Sequence, residues 1–452
     1  MEVTFLGGVG TVTGSKYLVD TGERHILVDC GLFQGFKNLR LRNWSPLPIL
    51  PVDIDDVVLT HAHLDHSGYL PILVRDGYEG RVHCSEATAD LCGVLLPDSG
   101  HLQEQDADFA NRHGFSKHHP ALPLYTREDA ERSLRRFSPL RFGRDHVLGG
   151  DATVRLHRGG HILGAAIVEL RVSKRTLIFS GDLGRPDDPV MMPPSKITSA
   201  DYLVVESTYG DRRHDRTDPL DVLADIIVRT AARGGTILVP AFAVGRAQGL
   251  LYLIRELKSA QRIPDLPVFL DSPMAIDASE LYCRHHEDHR LDETQCRLAC
   301  SVAKYLRRPE ESKSLNQNHV PSIIVSASGM LTGGRVLHHL KRLAPDPRNT
   351  ILITGYQAGG TRGAALLAGT ETVKVHGARI PVQAEVCNLA TLSAHADADE
   401  ILDWLRGFHR PPVTTFVTHG EPAAADALRQ RIEQELGWSC VVPDYRDSIS
   451  LG

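Results

Sequence analysis

The strongest chemical signal in the chain is the segment His61-Ala-His63-Leu-Asp65-His66. It follows an apolar stretch, 57–60, that reads as a short buried strand. A strand end passing into a turn lets His61, His63, Asp65 and His66 converge on a small volume. Imidazole nitrogen and carboxylate oxygen are donors that suit Zn²⁺. Structural zinc sites usually close with four ligands, often cysteine, whereas a His/Asp set that leaves a place for water is the catalytic kind. A lone histidine on an apolar face is more often packed than ligating. Four candidate ligands within one short segment leave little room for that explanation.

Three further residues share this strand-end, glycine-flanked setting. His161 stands in Gly159-Gly-His161-Ile-Leu-Gly164, Asp182 in Phe179-Ser-Gly-Asp182-Leu-Gly184, and His419 in Val417-Thr-His419-Gly420. A carboxylate at 182 can bridge two ions through its two oxygens. Asp29 ends an earlier strand, where it serves equally well as a turn residue. Taken singly, each has a packing or turn explanation, and their weight comes from the common context.

The elements that must position these residues fall into two patterns. Short strands at 3–6, 16–20 and 25–29 open the chain, a charged helical stretch covers 86–136, and strands return at 153–156, 165–172, 175–180 and 202–205. From 219 the rhythm changes: helices at 219–232, 245–257, 275–289 and 333–343 alternate with strands at 236–240, 267–271, 322–326 and 350–354, as in βαβ units. Short strands follow 371, then a helix at 397–408, a strand at 414–418 and a helix at 423–436. Residues 307–318 read as a polar surface loop. A strand-rich α/β region thus brackets a parallel α/β insert.

Composition limits the function classes. Across 452 residues the hydrophobic share is 42% and the charged share 23%, which is globular rather than disordered. A net charge of −6 provides no general basic field, so any nucleic-acid binding must use a local groove. No secretory signal and no bilayer-length apolar run are evident. The eight cysteines form no Cys-x-x-Cys pair and read as reduced thiols of a cytoplasmic protein. Gly8-x-Gly10 fails the dinucleotide fingerprint at Thr13, and Ser15 stands where a P-loop requires lysine.

The order Asp29, His61-x-His63-x-Asp65-His66, His161, Asp182 resembles the metallo-β-lactamase fold. That resemblance implies a four-layered αβ/βα sandwich with two metals at one edge. His61, His63 and His161 would hold the first zinc; Asp65, His66 and His419 would hold the second; Asp182 would bridge, and Asp29 would orient a ligand. Glu206 in Val205-Glu-Ser-Thr-Tyr-Gly, His395 in Leu392-Ser-Ala-His395-Ala-Asp397, and His419 resemble motifs A, B and C of the β-CASP nucleases. The implied organisation is a metallo-β-lactamase domain at 1–209 and 371–452, and a β-CASP domain at 210–370. Histidine at motif C is typical of the RNA-processing branch, where DNA-acting members carry valine. The chain is most similar to short bacterial β-CASP ribonucleases. Its length is expected to leave no place for the C-terminal domain of ribonuclease J or the KH domains of archaeal relatives.

The resemblance implies hydrolysis of RNA phosphodiester bonds with two zinc ions as cofactors and a hydroxide held between them as nucleophile. Asp65 and Asp182 would fix its direction, and His395, supported by Glu206, would protonate the leaving oxygen. Endonuclease action is favoured over 5′-exonuclease action. Single-stranded RNA is the expected partner, with no membrane and with a homodimer allowed. Three strand–turn–helix loops would bind phosphates: Arg246 in the first, Ser326, Ser328, Thr332 and Arg335 in the second, Arg362 in the third. Phe242 and Tyr356 can stack on bases or pack in the core. His285, His286 and His289, like His113, His118 and His119, sit among charged residues and read as solvated helix faces. The rival readings are a small-molecule ester or thioester hydrolase of the same fold, a non-catalytic RNA-binding scaffold, and a DNA nuclease. The first is disfavoured by Glu206, His395 and the insert, the second by the complete ligand set, and the third by His419.

Overall fold

The computed structural model describes residues 1–114, 116–315 and 320–452. The chain forms two compact units, 1–213 with 395–452, and 214–394. The strand Glu385–Asn388 pairs in parallel with Thr350–Ile353 and so extends the second unit's own sheet.

Among the described residues, the first unit holds two seven-stranded sheets. One runs Ser448–Ser450, Glu2–Gly7, Lys16–Asp20, His25–Val28, Asp56–Val58, Arg81–Ser85, Phe137–Leu140; the other runs Cys440–Val441, Thr414–Thr418, Tyr202–Glu206, Arg175–Phe179, Ala166–Val172, Ala152–Arg158, Asp145–Gly149. Side chains alternate along each strand, so the second sheet buries both faces. Val168, Leu177, Val204 and Phe416 meet Phe5, Val19, Val28 and Val58 of the first sheet in the sandwich interior. Ile167, Ile178, Leu203, Val205 and Val417 point the other way, onto helices Ala398–Leu405 and Pro422–Leu436. Helix Glu86–His113 packs on strands Arg81–Ser85 and Phe137–Leu140 of the first sheet. This is the expected αβ/βα sandwich.

The second unit is a parallel sheet of six strands among the described residues, in the order Lys304–Tyr305, Val268–Leu270, Ile323–Ser326, Ile237–Pro240, Thr350–Ile353, Glu385–Asn388. Ile237, Val239 and Val325 pack on one side with helix Arg246–Ser259; Leu238, Ile324 and Ile351 pack on the other with helix Val336–Leu343. Two local expectations differ. The stretch 307–318 contains a short helix, Pro309–Ser314, begun by proline at its first position; 316–318 lie outside the described residues. The helix expected over 275–289 ends at Arg284. His289 turns inward, its Nε2–H donating to the Tyr282 carbonyl (2.9 Å) while its Nδ1 accepts from the Leu291 amide (3.2 Å), so it is a satisfied buried residue rather than part of a solvated face.

A buried carboxylate organises the insert. Asp271, fully buried, accepts from Arg335 Nη1 (2.8 Å), His339 Nε2 (2.6 Å) and the Ser312 hydroxyl. Burial pushes its pKa up, but the hydrogen bonds from His339, Ser312 and Arg335 outweigh that and hold it below the ordinary carboxylate value. A carboxylate depressed in the folded state contributes stability above its unfolded pKa of about 3.9 and loses it as pH falls through the folded value. Replacing Asp271 by Asn is expected to cost about 3 kcal/mol at neutral pH, because it leaves charged Arg335 without its partner. Denaturation of both proteins between neutral pH and the acid range tests this: the difference shrinks on acidification, and a pH-independent difference contradicts it.

Candidate metal centre

Every residue of the His61–His66 segment that can ligate a metal lies at the carboxyl edge of the sandwich, just after strand Asp56–Val58. The backbone is packed tightly there. Cys30 donates to the His66 carbonyl (2.7 Å) and Ser15 to the Asp65 carbonyl (2.9 Å). A Cβ added to Gly31 would come within 1.6 Å of that Asp65 carbonyl, so only glycine fits. Gly184 lies equally close against Gly160, which holds the loops of His161 and Asp182 together. Asp29 and His419 both adopt positive φ, 59° and 48°. Such backbone conformations are costly outside glycine and cluster at functional sites.

The side chains form two groups around one carboxylate. His61 Nε2 and His161 Nε2 lie 3.1 and 3.2 Å from His63 Nδ1, and each lies 3.5 Å from Asp182 Oδ2. On the other side, His66 Nε2 and His419 Nε2 lie 3.3 and 3.5 Å from Asp182 Oδ1, with Asp65 Oδ2 4.0 Å from His419 Nε2. All four histidines other than His63 are almost fully buried, as is Asp182. Asp182 therefore presents one oxygen to each group.

Hydrogen bonds settle which nitrogen of each ring faces inward. Thr60 donates its backbone N–H (2.7 Å) and its hydroxyl (2.9 Å) to Asp29. With its proton so used, the Thr60 oxygen accepts from His61 Nδ1–H (3.1 Å), and Asp29 also accepts from His66 Nδ1–H (2.7 Å). Both rings thereby keep an Nε2 lone pair turned toward Asp182, the arrangement that metal-binding histidines require. Ser15 does the same for His419 through Nδ1 (2.8 Å). Asp29 was legible as an orienting residue; Thr60 and Ser15 were not, since small hydroxyl residues beside a turn carry no distinguishing sequence signal.

This donor set fits a metal ion. Ligand nitrogens about 2.0–2.1 Å from a tetrahedral ion lie about 3.4 Å apart, close to the spacing of His61, His63 and His161. Two such nitrogens with no proton between them repel unless a cation sits among them. Buried His66 Nε2 and Asp182 Oδ1 make no hydrogen bond within the described residues. Burial, with the neighbouring imidazoles, holds His61 well below its ordinary pKa and lowers His63 and His419, favouring the neutral ligand form. Burial would lower His66 as well, but the charges of Asp182 and Asp29 hold it well above its ordinary value. Asp182 is held well below the carboxylate range: burial opposes this, and attraction to the His419, His66 and His61 rings, when they carry a proton, prevails.

Beside this centre, His395 Nδ1–H donates to both oxygens of Glu206 (3.2 and 3.1 Å) and lies 3.9 Å from Asp182. Glu206 is buried and is fixed in turn by the Leu183 amide (2.6 Å). Asp397, two residues on, forms a capping box with Glu400 that starts helix Ala398–Leu405 and fixes the chain carrying His395. Burial would lower the His395 pKa; Glu206 and then Asp182 raise it above the ordinary imidazole value.

The candidate phosphate ligands lie in the second unit, on three loops that follow adjacent parallel strands, Ile323–Ser326, Ile237–Pro240 and Thr350–Ile353. Their side chains divide. Arg335 is engaged with Asp271 and the Leu306 and Arg307 carbonyls (3.0 and 2.7 Å). Arg362 donates to the carbonyls of Lys374 (2.6 Å), Leu331 (2.9 Å) and Thr332 (3.2 Å). Buried Ser326 donates to the Asp271 carbonyl (2.8 Å). These three brace the loops by satisfying backbone carbonyls there. Ser328 and Thr332 pair with each other through their hydroxyls (3.0 Å) at the surface, and Arg246 opens its helix. Phe242 packs on Gly329 and Gly355, where a Cβ would meet its ring at 2.7 and 3.3 Å.

Comparison with known proteins agrees with this fold. Residues 9–232 match the metallo-beta-lactamase superfamily, 247–366 the Beta-Casp domain, and 379–443 the Zn-dependent metallo-hydrolase RNA specificity domain. The chain is 37% identical to ribonuclease TTHA0252 of Thermus thermophilus over 95% of both chains. It is 30% identical to the transcription termination factor FttA of Pyrococcus abyssi, over 100% of this chain and 71% of that factor. A structure of a protein of unknown function from Enterococcus faecalis has the same fold at 14% identity, with a TM-score of 0.53 and 100% and 99% of the chains covered. The chain belongs to the β-CASP branch of the metallo-β-lactamase superfamily and is a metal-dependent hydrolase of the nuclease class.

Replacing Asp29 by Asn removes the acceptor that orients His66 and, through Thr60, His61. Metal affinity is expected to fall 10–100-fold without loss of the fold. Competition against a chelator of known affinity, with circular dichroism as a folding control, measures this; unchanged affinity contradicts the orienting role.

Proposed function

We propose that the protein is a zinc-dependent ribonuclease that cleaves single-stranded RNA, as an endonuclease in preference to a 5′-exonuclease. The single observation carrying this reading is the placement of Asp182, one oxygen toward His61, His63 and His161 and the other toward His66, Asp65 and His419. These residues would hold two zinc ions, which supply activation of a water near neutral pH and stabilisation of charge on the phosphoryl oxygens. The similarity to a Thermus thermophilus protein named as a ribonuclease supports RNA as substrate.

The chain's own groups account for the remaining requirements. Asp65 and Asp182 lower the net charge of the centre and constrain where the attacking oxygen sits. Departure of the ribose 3′-oxygen needs a proton. His395 is the group suited to supply it, because the Glu206 carboxylate fixes the ring through Nδ1 and favours its charged form, leaving transfer to Nε2. Products with 5′-phosphate and 3′-hydroxyl ends follow from water attack with this leaving oxygen. Ser328, Thr332 and Arg246 are the proposed phosphate contacts, supported by their place where adjacent parallel strands end and helices begin. A homodimer belongs to this reading as an allowed state, and the cytoplasm as its location, where free thiols such as the eight here persist. Among the described residues, no helix is long and apolar enough to cross a membrane.

End-labelled RNA tests the reading. Wild-type protein is expected to give internal cuts that disappear on addition of chelator. Replacing His395 by Ala should slow cleavage about 10²–10⁴-fold while the metal content stays unchanged. Hydrolysis of a thioester or lactone with RNA left intact contradicts the proposal, and full activity of the His395 variant contradicts the role of that residue.

A further inference from the structure

The eight cysteines are not alike. Cys30, Cys84 and Cys92 are buried in the first unit, and burial pushes the Cys30 and Cys92 thiols up to about 12. In the second unit, three sulfurs come together. Helix Pro273–Arg284 carries Cys283 in its last turn, and helix Glu293–Ser301 carries Cys296 and Cys300 one turn apart on one face. Cys283 Sγ lies 3.0 Å from Cys296 Sγ and 3.8 Å from Cys300 Sγ, and all three sulfurs lie within 4.8 Å of one another.

We propose that Cys283, Cys296 and Cys300 form a thiolate site for a thiophilic cation of the Zn²⁺ or Cu⁺ class, distinct from the histidine–carboxylate centre. Sulfurs each about 2.3 Å from a tetrahedral ion are about 3.8 Å apart, which is the scale of this cluster. Three neutral thiols are weak hydrogen-bond partners, and plain helix packing at this seam would be served better by aliphatic carbon. The cluster is also reachable. Cys283 and Cys300 line an open depression of about 830 Å³, together with Glu280, Arg284, His286 and Glu293. The three sulfurs leave a fourth position to water or to a group on that rim. The spacing Cys-x₁₂-Cys-x₃-Cys contains no Cys-x-x-Cys pair, so the site exists only once two helices meet.

The test uses the full chain, reduced and stripped of metal under anaerobic conditions, titrated with Co²⁺ and with Cd²⁺. Thiolate ligation gives a sulfur-to-metal charge-transfer absorption that the histidine–carboxylate centre cannot produce, so the result does not depend on the nuclease reading. Wild-type protein is expected to show this band and to protect three thiols from a thiol-titrating reagent when metal is present. Cys283→Ser and Cys300→Ser should each weaken the band by about a third or more, the triple Ser variant should lose it, and Cys440→Ser should keep it, with circular dichroism confirming the fold of each. Absence of the band in folded, reduced wild type, or its survival when Cys283, Cys296 and Cys300 are all replaced by Ser, overturns the proposal.

Discussion

One buried carboxylate sets the terms for the rest of the molecule. Asp182 is removed from water with an oxygen turned toward each of two imidazole groups, and His395 lies 3.9 Å away. An ionised carboxylate in such a place is costly unless positive charge is supplied nearby. Protonated imidazole can supply part of that charge, and a pair of cations would supply it fully, which links ion binding to proton release from His66. The sandwich can be understood as the frame that makes this arrangement rigid.

That rigidity comes from close backbone approach rather than from a large core alone. The candidate ligands sit on loops just beyond strand ends, and loops by themselves position side chains poorly. Here the loops are held to one another. Gly31 lies against the Asp65 carbonyl, and Gly184 against Gly160. Asp29, Thr60 and Ser15 then fix ring orientation through the imidazole Nδ1 atoms. The Glu206–His395 pair is built by the same means, a buried carboxylate held by backbone amides and turned onto an imidazole.

Much of this was legible in the chain because the chemistry-bearing residues are rare types in glycine-flanked positions after apolar strands. Their convergence follows from strands of both sheets whose ends share one edge of the sandwich. Other features were not legible, for identifiable reasons. Thr60 and Ser15 are common residues whose importance depends on hydroxyl direction. Arg335 and Arg362 read as free cations in a loop, whereas the folded chain uses them to satisfy Asp271 and exposed-edge carbonyls. His289 sits in a charged stretch yet turns into the core to close a helix end. Glu385–Asn388 is a sheet-edge strand too short to show its partner, Thr350–Ile353, in sequence.

The proposed chemistry requires Asp182 to lie between two ions. Anomalous diffraction measured at the zinc edge, on crystals grown with Zn²⁺, addresses that directly. Two peaks flanking the Asp182 carboxylate are expected, one beside His61, His63 and His161, the other beside Asp65, His66 and His419. A single peak, or zinc bound away from that carboxylate, contradicts it.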